Sequence, residues 1–262
     1  MRFISFTSGS CGNCCCLESK DGMLLIDAGA SMRKVRRLMD DVGLNINDLN
    51  AILVTHEHLD HIRFLGTYCK YLRPLVCAPR KLHGVLAAHT FTKDYISSCR
   101  NVLEPDVWNV VGGFEVKWFE VPHDAAQTVG YAIRGEGHIV VIMTDLQNVT
   151  PEAFALASQA DTVIIESNYD LQMLKDGPYT PELKQRILDE GHLSNDACAE
   201  AIRRIWHPGL RNLFLCHLSG NNNTPQKAYA CAAQALSSVG VEKGSVHLRT
   251  LERGAASPLI IL

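Results

Sequence analysis

The stretch "AILVTHEHLDHI", residues 51–62, runs from a short apolar segment straight into a dense set of metal-binding side chains. The apolar segment predicts a buried strand, because it is short and rich in aliphatic residues. Side chains two residues apart lie on the same side of a strand, so His56 and His58 are expected to point the same way. Asp60 and His61 follow where a helix would begin. This pattern predicts a metal site, and imidazole with carboxylate favours zinc, manganese or iron(II) over calcium.

Four further polar residues each follow an apolar run that predicts a strand. They are Asp27 in "MLLIDAG", His123 in "FEVPHDA", Asp145 in "IVVIMTDL" and His217 in "LFLCHLSG". One such residue alone would often be unremarkable. Four of them at the ends of separate strands indicate side chains that converge with the histidine-rich stretch on one site.

The composition suits one large α/β domain. The chain has 262 residues, 47 % of them hydrophobic, and its charge is spread evenly, so we expect a single domain over residues 1–262. The net charge of −3 argues against a nonspecific nucleic-acid binder, so contacts with such a substrate would be local. No segment has the ~18 apolar residues of a membrane span, and the opening "MRFISFTSGS" lacks the apolar segment of a signal peptide. We therefore expect a cytoplasmic protein without a membrane segment.

Alternating or apolar runs predict eleven strands. They lie near Arg2–Phe6, Cys14–Glu18, Met23–Asp27, Ala51–Thr55, Leu75–Ala78, Phe114–Val121, Val129–Arg134, His138–Thr144, Thr162–Glu166, Leu213–Cys216 and Val246–Leu251. N-terminal caps predict five helices, and these caps are Ser31, Thr150, Thr180, Ser194 and Thr224. The order of elements indicates two sheets packed together with helices outside.

The segment "SGSCGNCCCLES", residues 8–19, holds four of the ten cysteines. A metal cluster, a redox device and packed thiols are the three alternatives. On the predicted strand, Cys14 and Cys16 would face one way and Cys15 the other, which favours apolar packing of reduced thiols. Cys11 precedes the strand and is expected to be the exposed thiol.

The metal-binding residues form an ordered set that resembles the metallo-β-lactamase superfamily over nearly the whole chain. The resemblance implies an α/β fold in four layers, an αββα sandwich of two mixed β-sheets with helices outside. It also implies two divalent metal ions, zinc or manganese, with iron as a further option. One ion would have three ligands, which are His56, His58 and His123. The other would be held by Asp60, His61 and His217, with Asp145 bridging the ions and Asp27 orienting the site.

Two segments point toward phosphodiester chemistry. "GHLSNDACAEAI" places His192 just before a helix that begins with Ser194 and Asn195, and it resembles the Gly-His-Ser segment of the RNase Z branch. A histidine beside free backbone N–H groups suits anion binding and protonation of a leaving oxygen. The alternative is that His192 only caps the preceding helix. "CHLSGNNNTP" offers Ser219 and Asn221, which either bind phosphate or ribose or simply form a turn.

A further resemblance joins the first loop to these later segments. "SGSCGN" at residues 8–13, "IIESNYD" around Glu166, "GHLSN" and "CHLSGNN" are together similar to the YycJ/WalJ subfamily of bacterial metallo-β-lactamase-fold proteins. That resemblance implies a 5′-to-3′ DNA exonuclease, with Ser8, Ser10 and Asn13 at the mouth of the active site. Glu166 ends a strand and is expected to support the metal ligands.

The expected reaction is hydrolysis of a phosphodiester in a nucleic acid, DNA rather than RNA. A hydroxide shared by the two ions and steered by Asp60 would attack phosphorus, and His192 would protonate the departing oxygen. The alternative enzyme is a small-molecule hydrolase acting on a cyclic phosphodiester, or on a thioester as glyoxalase II does, and the acidic isoelectric point favours it. A third alternative is a binding domain without catalysis, which the complete ligand set argues against.

The dense basic run Arg33–Arg37 has two interpretations. Its cations lie opposite the apolar positions of the predicted helix, which fits a solvated helix surface. A patch that guides DNA to the site is the alternative. Both interpretations stay open at the level of sequence.

Overall fold

Two seven-stranded β-sheets form the centre of the molecule. The computed structural model describes residues 1–262, apart from the side chain of Glu190. The first sheet contains, in spatial order, β14 (Ile260–Ile261), β1 (Arg2–Thr7), β2 (Cys14–Ser19), β3 (Gly22–Ile26), β4 (Leu49–Leu53), β5 (Leu75–Ala78) and β6 (Arg100–Val102). The second contains β13 (His247–Thr250), β12 (Asn212–Cys216), β11 (Thr162–Glu166), β10 (His138–Met143), β9 (Val129–Gly135), β8 (Phe114–Glu120) and β7 (Asn109–Val111).

Helices cover the outer faces of both sheets. They are α1 (Met32–Asp40), α2 (Leu59–Ile62), α3 (Leu65–Tyr71), α4 (Arg80–Ala88), α5 (Pro151–Ala157), α6 (Leu171–Asp176), α7 (Pro181–Arg186), α8 (Asn195–Ile205) and α9 (Pro225–Ser238). One apolar cluster joins α1, α3 and α4 to the first sheet, and another joins α5, α8 and α9 to the second. A third cluster fills the space between the sheets. This confirms the αββα sandwich. Over the described residues, each helix is too short or too polar to cross a membrane.

Parallel strands carry the predicted site residues to the same edge of each sheet. β3, β4 and β5 are parallel neighbours, and so are β10, β11, β12 and β13. Asp27 and His56 follow β3 and β4, whereas Asp145, Glu166 and His217 stand at the ends of β10, β11 and β12. Because the carboxyl ends of parallel strands meet at one edge, each sheet presents a row of polar side chains there.

The eleven predicted strands are confirmed, with bounds that shift by at most two residues. The prediction lacks β6, β7 and β14, which have only two or three residues each and owe their order to neighbouring strands. All five predicted helix caps are confirmed. Each accepts a hydrogen bond from the backbone N–H three residues further on.

The cysteine-rich segment is part of the core. Cys14 and Cys16 belong to the cluster on the outer face of the first sheet, and Cys15 belongs to the cluster between the sheets. Burial raises the pKa of each of these thiols. Cys11 is exposed. The prediction of packed thiols with one exposed neighbour is therefore confirmed.

Candidate active site

Three of the strand-end residues have a left-handed backbone conformation. The φ angle is 61° at Asp27, 55° at Asp145 and 53° at His217. This region is sparsely populated for residues with a Cβ, and holding such a residue there costs about 1 kcal/mol or more. All three side chains are buried. The backbone is thus strained at the residues that follow the strands and whose side chains enter the candidate site.

The structure brings the predicted ligands together in two adjacent groups. Within each group the candidate ligand atoms all lie within 4.8 Å of one another. The first group is His56, His58 and His123, and the second is Asp60, His61 and His217. Asp145 lies between them, with Oδ2 3.2 Å from His61 Nε2 and Oδ1 3.8 Å from His123 Nε2. These imidazole and carboxylate donors suit zinc, manganese or iron(II).

The two buried histidines of the first group each have one anchored and one free ring nitrogen. His56 Nδ1 is 3.0 Å from Thr55 Oγ1, and His123 Nδ1 is 2.7 Å from Gly191 O. The Nε2 atoms of His56 and His123 are buried and lack a hydrogen-bond partner among the described residues. Asp124 Oδ1 is 3.1 Å from His123 Nε2, but the two atoms are not aligned for a hydrogen bond. Metal-binding histidines have this arrangement, so the site fits divalent metal ions.

Buried carboxylates orient the histidines of the second group. Asp27 Oδ2 is 2.7 Å from His61 Nδ1, and it also accepts a hydrogen bond from the Thr55 hydroxyl. Glu166 Oε1 is 3.0 Å from His217 Nδ1, and Glu166 is fully buried. Each carboxylate fixes the ring so that Nε2 faces the ligand group.

Histidines and carboxylates shift one another's pKa at the centre of the site. Burial alone would lower the pKa of His217, but the charge of Asp145 and a hydrogen bond with Asp60 raise it to about 10. Burial would likewise raise the pKa of Asp60, but hydrogen bonds from His217 and His61 hold it well below its usual range. The Asp60 carboxylate is therefore ionised near neutral pH.

His192 lies beside both groups, with its ring held by Glu166. His192 Nδ1 is 2.8 Å from Glu166 Oε1, and the side chain is 22 % exposed, on the wall of the pocket. The residue does follow a helical segment, the π-helical turn Ile187–Gly191, as the capping alternative requires. Its ring nevertheless bonds to Glu166. With Nδ1 occupied, Nε2 is available to the pocket.

Three of the predicted substrate-binding residues stand at or next to the pocket. Ser10 lines it. Asn13 Nδ2 lies 2.9 Å from His61 Nε2 and 3.2 Å from Asp60 Oδ2, so Asn13 contacts the second ligand group directly. Asn221 Nδ2 donates at 3.1 Å to the hydroxyl of a tyrosine on the pocket wall.

The remaining four make hydrogen bonds inside the protein. The pairs are Ser8 with His217 N, Ser194 with Ala197 N, Asn195 with Ser167 and Asn223, and Ser219 with Asn222 N. These four side chains are hydrogen-bonded within the fold, and their contacts with a substrate stay a prediction. The Ser8 hydroxyl fixes the backbone from which the His217 ring projects.

A pocket of about 250 Å³ opens over both ligand groups. One wall consists of candidate ligands, and the other comes from the segment around α7: Tyr179, Leu183, Arg186, Ile187 and Gly191. Arg186 Nε donates to Asp124 Oδ2 at 2.7 Å, so a cation stands at the pocket. Sequence reasoning missed this wall. The cap Thr180 reveals the helix, but a short helix without a buried residue has no apolar stripe that would place it at the pocket.

The family of the chain follows from its similarity to known proteins. Residues 23–217 match a family described as the β-lactamase superfamily domain, and the chain belongs to this superfamily. The metallo-β-lactamase-fold protein YhfI of Bacillus subtilis superposes with a TM-score of 0.71 at 16 % identity, covering 98 % of each chain. That likeness shows the fold, as the resemblance predicted.

Similarity to a named relative indicates a subfamily within this superfamily. Exodeoxyribonuclease WalJ of Streptococcus pneumoniae serotype 2, strain D39, is 33 % identical over 246 residues, covering 92 % of this chain and 91 % of the relative. This confirms the predicted resemblance to the YycJ/WalJ subfamily. Human tRNase Z, short form, superposes with a TM-score of 0.66 at 15 % identity over 100 % of both chains, so the RNase Z branch shares the fold.

Proposed function

We propose that this chain is a metal-dependent exonuclease that degrades DNA in the 5′-to-3′ direction. The observation that carries the proposal is the pair of buried Nε2 atoms, of His56 and His123, without partners among the described residues, with the His192 ring centroid 5.2 Å from that of His123. The similarity to an exodeoxyribonuclease supports a nucleic acid as the substrate and DNA as its class.

Divalent metal ions are the cofactors that this reaction requires. We propose two ions, zinc or manganese with iron as a further option, because two ligand groups meet at Asp145. His56, His58 and His123 would hold one, and Asp60, His61 and His217 the other. When bound, such ions stabilise negative charge on a phosphate and lower the pKa of water.

His192 is the proposed acid. Glu166 fixes Nδ1, so Nε2 faces the pocket and would donate a proton to the oxygen that leaves phosphorus. Asp60 is 21 % exposed at the pocket and would orient the attacking water. Asp27 would act through His61, which it holds in place.

We also propose that residues 1–262 act as one domain in the cytoplasm. Both sheets contribute to the apolar cluster between them, where Phe3 stacks on Phe214 with ring centroids 5.3 Å apart. Both sheets also supply candidate ligands, so neither could hold the site alone. The similarity to an exodeoxyribonuclease supports the cytoplasmic location.

The proposal is tested with His58→Ala and Asp60→Ala in protein that is stripped of metal and reloaded with zinc or manganese. Each variant removes one candidate ligand, so DNA digestion should fall by about a hundredfold or more. His247→Ala is the matched control. It removes an exposed histidine on β13. The partner of His247 is Asn212, which begins β12, and His217 follows the other end of β12, so His247 lies far from the site.

The assay follows nucleotide release from duplexes labelled at either end, with phosphate or hydroxyl at the 5′ terminus. Metal content is measured on the same samples. The expected result is digestion from the 5′ end that appears only after metal is restored. Near-wild-type digestion by either variant would contradict the two-metal proposal, and digestion from the 3′ end would contradict the polarity.

A further inference from the structure

We infer that five cations form a track that carries the undigested DNA strand to the active-site pocket, an inference that rests on the proposed function. The basic track consists of Arg33, Lys34, Arg36, Arg37 and Arg253. The first four lie on α1, and the fifth lies in the loop after β13. Contacts in the structure join the two parts to each other and to the pocket mouth.

The cations on α1 occupy one continuous face of the helix. At about 100° per residue they cover an arc of about 160°. Val35 and Met39, on the opposite side, are buried against the first sheet. The arginines of this face are exposed. Ion pairs of arginine among the described residues are made elsewhere, by Arg2, Arg80, Arg186 and Arg203. The α1 face is therefore free to bind an external anion.

The loop after β13 connects this face to the site. Lys34 Nζ, at one edge of the arc, donates to Gly254 O at 2.9 Å. On the other side of the same loop, Ser8 N donates to Glu252 O at 3.1 Å. Arg253 is therefore held between α1 and the first loop of the active site.

Two glycines leave room for the Arg253 side chain at the pocket mouth. A Cβ at Gly9 would lie 2.9 Å from Arg253 Cγ, and a Cβ at Gly220 would lie 2.5 Å from a guanidinium nitrogen. Gly9 directly precedes Ser10, which lines the pocket, and Gly220 follows His217 by three residues. The Arg253 side chain thus lies against both loops that border the site, with its aliphatic stem at Gly9 and its guanidinium at Gly220.

A chain of phosphates is the partner that suits this surface. The protein has 28 acidic and 25 basic residues, whereas α1 carries four cations and one acidic residue, Asp40 at its C-terminal end, so this face is a local departure from the average charge. Lysine and arginine bind the DNA backbone by neutralising phosphates, and such contacts do not depend on base sequence. An exonuclease that digests any sequence needs contacts of this kind. The track therefore holds the strand that still awaits digestion, over Arg253 and along α1.

The test compares DNA with a small ester, thymidine 5′-(p-nitrophenyl) phosphate, using the metal-loaded protein. The ester fills only the pocket, whereas DNA reaches α1. In Arg253→Gln and in the triple variant Arg33→Gln, Arg36→Gln, Arg37→Gln, the ratio of DNA turnover to ester turnover should fall about tenfold at about 0.15 M salt. The slope of log Kd for DNA against log salt should shrink by about one for each phosphate contact that is lost.

The matched control is the triple variant Lys20→Gln, Arg211→Gln, Lys243→Gln, whose exposed cations precede β3, β12 and β13, at the ends far from the site. It should behave like the wild type. Arg253→Lys keeps the charge and should restore most DNA turnover, which separates lost charge from a disturbed loop. Unchanged ratios and salt slopes in both track variants would overturn the track and leave the nuclease proposal intact. A wild type that hydrolyses neither substrate would overturn the nuclease proposal, and the salt slope of DNA binding alone would then decide the track.

Discussion

At the scale of single residues, the site depends on side chains that hold its ligands in place. Asp27 accepts hydrogen bonds from Thr55 N at 2.9 Å and from His61 Nδ1 at 2.7 Å. The Thr55 hydroxyl, which donates to the same carboxylate, is also 3.0 Å from His56 Nδ1. One strained, buried aspartate thereby fixes a histidine in each ligand group.

Asp27→Asn should weaken metal binding by about tenfold to a hundredfold while the fold persists. The amide keeps the size of the side chain and tolerates the left-handed backbone, but it is neutral and has a single acceptor oxygen. Competition with a chromophoric chelator measures the metal Kd. Asp106→Asn is the control, because Asp106 is exposed and has a similar φ of 58°. Equal affinities in Asp27→Asn and the wild type would show that Asp27 does not orient the ligands.

At the scale of elements, the pocket depends on a segment with little packing of its own. α7 has no buried residue among those described. The π-helical turn that follows is joined to the site where Gly191 O accepts from His123 Nδ1. Arg186, at the end of α7, pairs with Asp124. π-Helical turns are frequent at functional sites, and this one is held by site residues instead of a core.

Arg186→Gln should raise the KM for DNA about tenfold and change kcat less. The guanidinium faces the pocket, and a charged hydrogen-bond donor to phosphate contributes about 1.5–3 kcal/mol. Steady-state kinetics on an end-labelled duplex measure both constants. Lys184→Gln removes a half-buried cation from the same helix, one that donates to Lys175 O, and should leave KM unchanged. A KM for Arg186→Gln that matches this control would mean that Arg186 serves only to hold Asp124.

The difference between local signals and contacts with distant residues explains which parts of the molecule the sequence could predict. Strands such as β4 and caps such as Ser194 have local signals, namely an apolar run and a hydroxyl three residues before its donor. Polar residues after such strands had to meet, because parallel strands share an edge. The partners of Asn195 lie 28 residues away in both directions, at Ser167 and Asn223, and no local pattern reveals them. The α7 wall is of the same kind, since its position comes from contacts with distant residues.

At the scale of the whole molecule, the site joins the two sheets at their common rim. The first sheet leads into His56, His58 and the second-group residues of α2, whereas the second sheet supplies Asp145 and His217. His61 Nε2 and Asp145 Oδ2, only 3.2 Å apart, come from different sheets. Ions shared by these side chains would therefore link the two halves of the sandwich and contribute to stability.

Metal removal should lower the melting temperature by about 5–10 °C. An ion present at a hundred times its Kd stabilises the folded state by about 2.7 kcal/mol, and each kcal/mol shifts Tm by about 2–4 °C in a chain of this size. Calorimetry before and after chelation, and again after metal is restored, measures the shift. The double variant His56→Ala, His217→Ala loses one ligand from each group and should melt at the same temperature with and without chelator. Metal analysis could show that the ions are gone while the wild-type Tm stays constant. The apolar layer between the two sheets would then be enough to hold the sheets together. The ions would then act in catalysis alone.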